Sequence, residues 1–168
     1  NASRGEVVDS RAVADSRHTY IFDVWEGEPD LDPELIGLLD ITTPHIAGYS
    51  ADGKANGTMA SVRTVAEILG LPLTDWTPSG VPAPVQNLEF EIDAEGRTCE
   101  DVLKEAVLYT YDVREDSDKL RNAPELFEKL RGDYQIRREP SAFSLVLKSG
   151  TAQEVEALEA IGFKVTNQ

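Results

Sequence analysis

One cysteine, one methionine and two histidines are all that this 168-residue sequence offers of the residues that build disulfides, soft-metal sites and imidazole clusters. The lone Cys99 has no intrachain disulfide partner, and a reducing, cytoplasmic compartment is the simplest expectation. Two histidines and one cysteine spread far apart do not make a zinc pattern, so no metal is expected. No apolar run approaches the roughly 18 residues that a membrane helix needs, and the start carries neither a signal nor a transit pattern. Positive charge is also scarce. Sixteen Lys and Arg against 31 Asp and Glu leave a net charge of −15, which repels phosphate backbones and excludes nucleic acid as a natural partner. What is present suffices for a globular core: 40% hydrophobic residues, in a length suited to one domain or two small ones. The chain opens on Asn-Ala-Ser-Arg-Gly, which reads as the interior of a domain, so a fragment of a longer protein is expected.

Composition shifts once. Residues 77–87, TPSGVPAPVQN, hold Pro78, Pro82, Pro84 and Gly80, a density that resists helix and marks a linker between 1–76 and 88–168. Before it the pattern is α/β. Tyr20–Val24 reads as a buried strand, Asp32-Pro33 as the cap and first position of a short helix, and Ile41–Thr43 as a second strand. Met59, Val62, Val65, Ala66 and Leu69 predict a helix from about Gly57 to Leu69, closed by Gly70. After the linker the pattern is α+β. Leu88–Asp93 alternates as a strand, Thr98 and Asp101 open a helix in the manner of a capping box, and a charged stretch leads to a helix around Pro124–Leu130. Phe143–Lys148 is a second strand, Thr151 and Glu154 form a capping box, and Phe163–Val165 is a last strand.

Two segments carry chemistry-bearing residues at strand ends, where α/β sheets bind ligands: DVWEGEPD at 23–30 and TPHIAGYS at 43–50. Taken alone, His45 reads more readily as a structural histidine and Glu28 as a solvated charge.

Together, NASRG, D-V-x-x-x-E-P and T-P-H-I-A-G in that order resemble the signature of the D-isomer-specific 2-hydroxyacid dehydrogenases. The longer runs, DVWEGEPD, TPHIAGYSADGKANGT, YDVRED and a late RRE, are similar to a branch of that family that oxidises a phosphorylated hydroxy acid on the way to pyridoxal phosphate. The resemblance implies an α/β fold, the C-terminal part of a Rossmann-like nucleotide-binding domain followed by a small α+β dimerisation domain. It implies NAD as cofactor, a homodimer, and Arg4, Glu28 and His45 as catalytic residues. Asp23 and Gly48 match cofactor contacts and Tyr49 a substrate contact, and the 57–69 helix would cross back to a lid domain. Within those roles a planar arginine grips the substrate carboxylate, and a carboxylate on the far imidazole nitrogen stabilises the imidazolium as it forms.

The sequence departs from the family in three places. It has no G-x-G-x-x-G turn for the pyrophosphate, so this chain alone is not expected to bind NAD or turn over. Only thirteen residues separate Asp9 from Asp23, and Pro140 follows Arg138-Glu139. Two other readings stay open: another member of the family, such as phosphoglycerate dehydrogenase, and a non-catalytic dimerisation module. Dimerisation is expected because the Leu88/Phe90/Ile92 and Phe143/Leu145/Leu147 faces need cover. For Arg137 and Arg138 there are two expectations. Either both answer carboxylates such as Asp133 and Glu139, or Arg138 reaches across the dimer to the substrate phosphate.

Overall fold

A computed structural model describes residues 4–16, 18–84 and 86–168, so Asn1, Ala2 and Ser3 of the NASRG motif lie outside the described residues. The chain is a mixed helix and parallel-sheet α/β structure. It forms two compact units. One takes the chain up to Ala47 together with Asp112–Tyr134; the other takes Gly48–Tyr111 together with Gln135–Gln168.

In the first unit, α1 (Ser10–Ala14) is capped by the Asp9 carboxylate, which accepts the N–H groups of Arg11 and Ala12. Strand β1 (Ile21–Phe22) pairs in parallel with β2 (Ile41–Thr42), Ile21 opposite Ile41. The first strand is shorter than the expected Tyr20–Val24 because Asp23 leaves the ladder to bond the loop after β2. Between the strands, α2 (Pro33–Leu38) has Asp32 as N-cap and Pro33 at its first position, as expected. The core joins Trp25, Leu35, Ile36 and Leu39 to Leu120 and Phe127. Those last two come from α5 (Val113–Asn122) and α6 (Phe127–Gly132). The compact units therefore do not coincide with a division at 77–87. The reason is burial: Leu120 and Phe127 are rare apolar residues in a charged stretch, and covering each contributes about 1.5–3 kcal/mol.

In the second unit, α3 (Ala51–Leu69) begins six residues before the expected Gly57. Buried Ser50 accepts the Gly53 N–H at 2.9 Å and caps it, which offsets part of the low helix propensity of Gly53 and Gly57. Gly70 closes it in the left-handed conformation, φ +65°. Its expected apolar stripe is largely uncovered. Only Ala66 is buried, whereas Val65 is 50% and Leu69 64% exposed.

The sheet of this unit is parallel in the order β3 (Glu89–Asp93), β4 (Ser144–Lys148), β5 (Lys164–Asn167). α4 (Cys99–Thr110) follows β3, and α7 (Ala152–Ile161) follows β4. Thr98 accepts the Asp101 N–H, but the Asp101 carboxylate accepts the Thr98 hydroxyl rather than a backbone N–H, so the capping box is only half made. Thr151 and Glu154 make the full box. Ile92, Phe143, Leu145 and Leu147 pack with Val102 of α4 and Leu158 of α7. This overturns the expected ground for dimerisation. The alternating apolar faces are covered by the unit's own helices, and the other face carries half-buried Val146 among Glu89, Glu91, Asp93 and Lys148.

Candidate active site

Strand β2 runs out into Thr43–Ala47, a loop fastened by its neighbours in the first unit. Thr43 N–H donates to the Phe22 carbonyl at 2.8 Å. The Asp23 carboxylate accepts Ile46 N–H at 2.7 Å, Ala47 N–H at 2.9 Å and the Thr43 hydroxyl at 2.7 Å. Trp25, 3% exposed, donates its indole N–H to the Thr43 carbonyl at 2.9 Å. These bonds hold His45 at φ +55°, a left-handed conformation that costs a side-chain-bearing residue about 1–3 kcal/mol.

The loop delivers His45 onto Glu28. Nδ1 of His45 donates to Oε2 of Glu28 at 2.8 Å, both side chains about one-fifth exposed. The other Glu28 oxygen accepts the Trp25 N–H at 2.8 Å, so the carboxylate cannot swing away without stranding a backbone donor. The Glu28–Pro29 peptide bond is cis. With Nδ1–H given to the carboxylate, the Nε2 lone pair is left to accept a proton, and the carboxylate stabilises the imidazolium that results.

Arg4 is exposed at the head of a 3-10 turn, Gly5–Val7. Its neighbour Gly5 explains the motif's glycine: a Cβ there would lie 1.9 Å from the Trp25 carbonyl oxygen and 2.6 Å from the Glu26 nitrogen. The arginine is thus carried on backbone laid against the segment that leads to Glu28. The structure joins His45 to Glu28 directly and relates Arg4 to them through that backbone approach. Asp23, expected at the cofactor, spends its carboxylate on the His45 loop. Trp25 binds both Glu28 and Thr43, and only its place inside the DVWEGEPD motif hinted at this. Gly48 (φ +78°) and half-buried Tyr49, whose ring lies 4.1 Å under the Lys54 ammonium, belong to the second unit.

Arg138 also lies in the second unit, and its partner is neither Asp133 nor Glu139. Its Nε and Nη2 donate to the two oxygens of Asp52 at 2.8 and 2.9 Å, and the Glu139 N–H donates to the same carboxylate at 2.7 Å. Asp133 instead pairs with Lys129. Burial pushes the Asp52 carboxyl up, but the Arg138 and Glu139 hydrogen bonds and the Arg138 charge outweigh it, leaving it below the ordinary carboxylate value. A carboxyl depressed on folding adds stability above its unfolded value, near 3.9, and loses it as pH falls through the lower folded value. Acid unfolding followed by circular dichroism is therefore expected to show a stability loss below about pH 4 that Asp52→Asn removes. At neutral pH the same variant should be less stable by about 1–3 kcal/mol.

Among the described residues no group of three or more His, Cys, Asp or Glu is placed to hold a metal, and no helix is long and apolar enough to cross a membrane.

Comparison with known proteins bears out the resemblance. Residues 83–162 match a family described as a domain of unknown function, DUF3410. The chain is 43% identical over 152 residues to an erythronate-4-phosphate dehydrogenase of Bacteroides thetaiotaomicron, covering 87% of this chain and 40% of that protein. It is 44% identical over 154 residues to the protein of that name from Bacteroides fragilis, covering 88% and 40%. With the one from Proteus mirabilis it shares 38% over 176 residues, covering 100% and 46%. The chain thus spans less than half the length of these curated relatives.

Proposed function

We propose that this chain, alike over most of its length to erythronate-4-phosphate dehydrogenases, is the proton-handling part of such an enzyme. It would serve the NAD-dependent oxidation of 4-phospho-D-erythronate to 3-hydroxy-2-oxo-4-phosphooxybutanoate in vitamin B6 synthesis. The observation that carries this reading is the His45–Glu28 pair at 2.8 Å, with Nε2 left as a base. When bound, the nicotinamide supplies the hydride acceptor. His45 Nε2 takes the proton of the substrate 2-hydroxyl, Glu28 holds the ring in that tautomer, and Arg4 grips the substrate carboxylate. Tyr49 contacts the substrate.

The residues present fit the proton-transfer end of a dinucleotide site and not its pyrophosphate end. The sequence has no glycine-rich phosphate turn, and three donors of the His45 loop already occupy Asp23. Dinucleotide binding is then the work of further residues in a longer protein, with Gly48 and Asp23 at its margin. On this reading residues 1–76 continue a Rossmann-like domain, 77–87 link it to the rest, and 88–168 form a dimerisation domain in a cytoplasmic homodimer. The exposed Val65, Ile68 and Leu69 side of α3 suits a crossover toward a lid. Arg138, spoken for by Asp52, reaches a substrate phosphate only if that pair opens. A phosphoglycerate dehydrogenase is not favoured, since the similar proteins carry the erythronate phosphate name.

The test is kinetic, on the longer protein containing this sequence. It should reduce NAD with 4-phosphoerythronate and not with 3-phosphoglycerate, and Glu28→Gln should lower kcat roughly tenfold or more while leaving NAD affinity unchanged. Preference for phosphoglycerate would overturn the substrate assignment, and an unchanged kcat would remove Glu28 from the reaction.

A further inference from the structure

We propose that Ser117 and Arg121 of α5 are positioning residues for His45, acting by bolting strand β2 from its outer edge. The inference rests on reading the His45–Glu28 pair as the proton-handling site. Backbone N–H groups alternate along a strand. In β2 and just beyond it, Ile41 and Thr43 donate inward to the Tyr20 and Phe22 carbonyls, so the Thr42 N–H points away from β1. It would be a buried orphan at a sheet edge, for Thr42 is fully buried. Ser117, itself 4% exposed, accepts that N–H at 3.0 Å. Its oxygen also lies 3.2 Å from the Thr42 hydroxyl and 3.3 Å from Arg121 Nε. A serine hydroxyl accepts twice and donates once, so Thr42 N–H and Arg121 Nε–H fill its acceptor sites and its proton goes to Thr42 Oγ1.

Arg121 extends the bolt. Its remaining donors reach the Ile36 carbonyl at 3.1 Å, the Leu39 carbonyl and the Asp40 carbonyl at 2.9 Å. These carbonyls lie in the last turn of α2 and just past it, where helical acceptors lack partners and where a cation is favoured. One guanidinium thereby ties the turn into β2 to Ser117, and Ser117 ties it to β2 itself. Thr42 is three residues from His45, whose left-handed backbone persists only while its surroundings dictate it. Asp23 and Trp25 hold the loop from one side; α5 holds the strand from the other.

Nitrogen-15 spectra of the 168-residue chain at neutral pH report the His45 tautomer directly, and thermal unfolding of the same samples reports stability. In the unsubstituted chain the Nδ1–H form should dominate. Ser117→Ala should raise the Nε2–H fraction roughly threefold, Ser117→Thr should restore it, and Arg121→Lys, which keeps the charge and loses the fork, should raise it less. In the longer enzyme Ser117→Ala should lower kcat about tenfold with KM for both substrates within about twofold. A folded Ser117→Ala or Arg121→Lys chain that is merely less stable, with the His45 tautomer unmoved, overturns the proposal. Failure of Ser117→Thr to restore the tautomer overturns it as well. Absence of an Nδ1–H preference in the unsubstituted chain would instead bring down the His45–Glu28 reading together with this one.

Discussion

Replacing His45 by alanine in the longer protein that contains this sequence is expected, on the function proposed for it, to lower kcat by about 10²–10⁴-fold, the usual worth of a positioned acid or base. The substitution should leave the fold in place. His45 is partly exposed, and its loop is held by bonds to Asp23, Trp25 and Phe22 that the imidazole does not make. Alanine keeps the positive φ that histidine already carries and gives up the hydrogen bond to Glu28, so some stability is lost, and unfolding measured beside steady-state kinetics separates the two effects. An added imidazole should return part of the rate by entering the space beside Glu28. Near-normal kcat in a folded His45→Ala enzyme would assign the proton to another group.

The second large effect is expected where no side chain exists. Gly5→Ala would put a methyl group 1.9 Å from the Trp25 carbonyl oxygen, and its nearest neighbours there are backbone atoms that cannot rotate aside. Either the 4–8 segment lifts off or the Trp25–Glu26 backbone shifts. The expected loss is about 3 kcal/mol or more in stability of the first unit, at the upper end of overpacking costs. Because Trp25 N–H holds Glu28, the variant should also disturb the His45 ring signals. Chemical denaturation and the same nitrogen-15 spectra check both. A Gly5→Ala chain of unchanged stability would mean that Arg4 is not anchored on this backbone.

Local rules were legible in the sequence wherever a few neighbouring residues decide the outcome. Asp32-Pro33 at the start of α2, Gly70 at the end of α3 and the Thr151–Glu154 box stand as expected, since each is settled within one turn of chain. The meeting of His45 and Glu28 was legible only as motif wording, because they stand seventeen positions apart in the sequence and nothing local demands the contact. Long-range partners were not legible. Arg138 had nearer carboxylates at Asp133 and Glu139, yet Asp52, 86 residues away, takes its fork and the adjacent N–H together. Ser117 lies between charged residues and gives no sign that it is buried. The alternation of Leu145 and Leu147 correctly signalled one covered face, but alternation does not say whether the cover is a helix of the same chain or a second copy.

The discontinuous first unit has a consequence for how the protein is made. Its core needs Leu120 and Phe127, which leave the ribosome long after Ala47. Phe127 lies 80 residues past Ala47 (127 − 47), and adding them takes on the order of 4–16 s at translation rates of roughly 5–20 residues per second. Through that interval Trp25, Leu35, Ile36 and Leu39 have been synthesised without the side chains that complete their cluster. The nascent chain should therefore be most vulnerable to proteases and most dependent on chaperones before Tyr134 emerges. Stalling translation on either side of that point, with pulse proteolysis of the arrested chains, should mark the change.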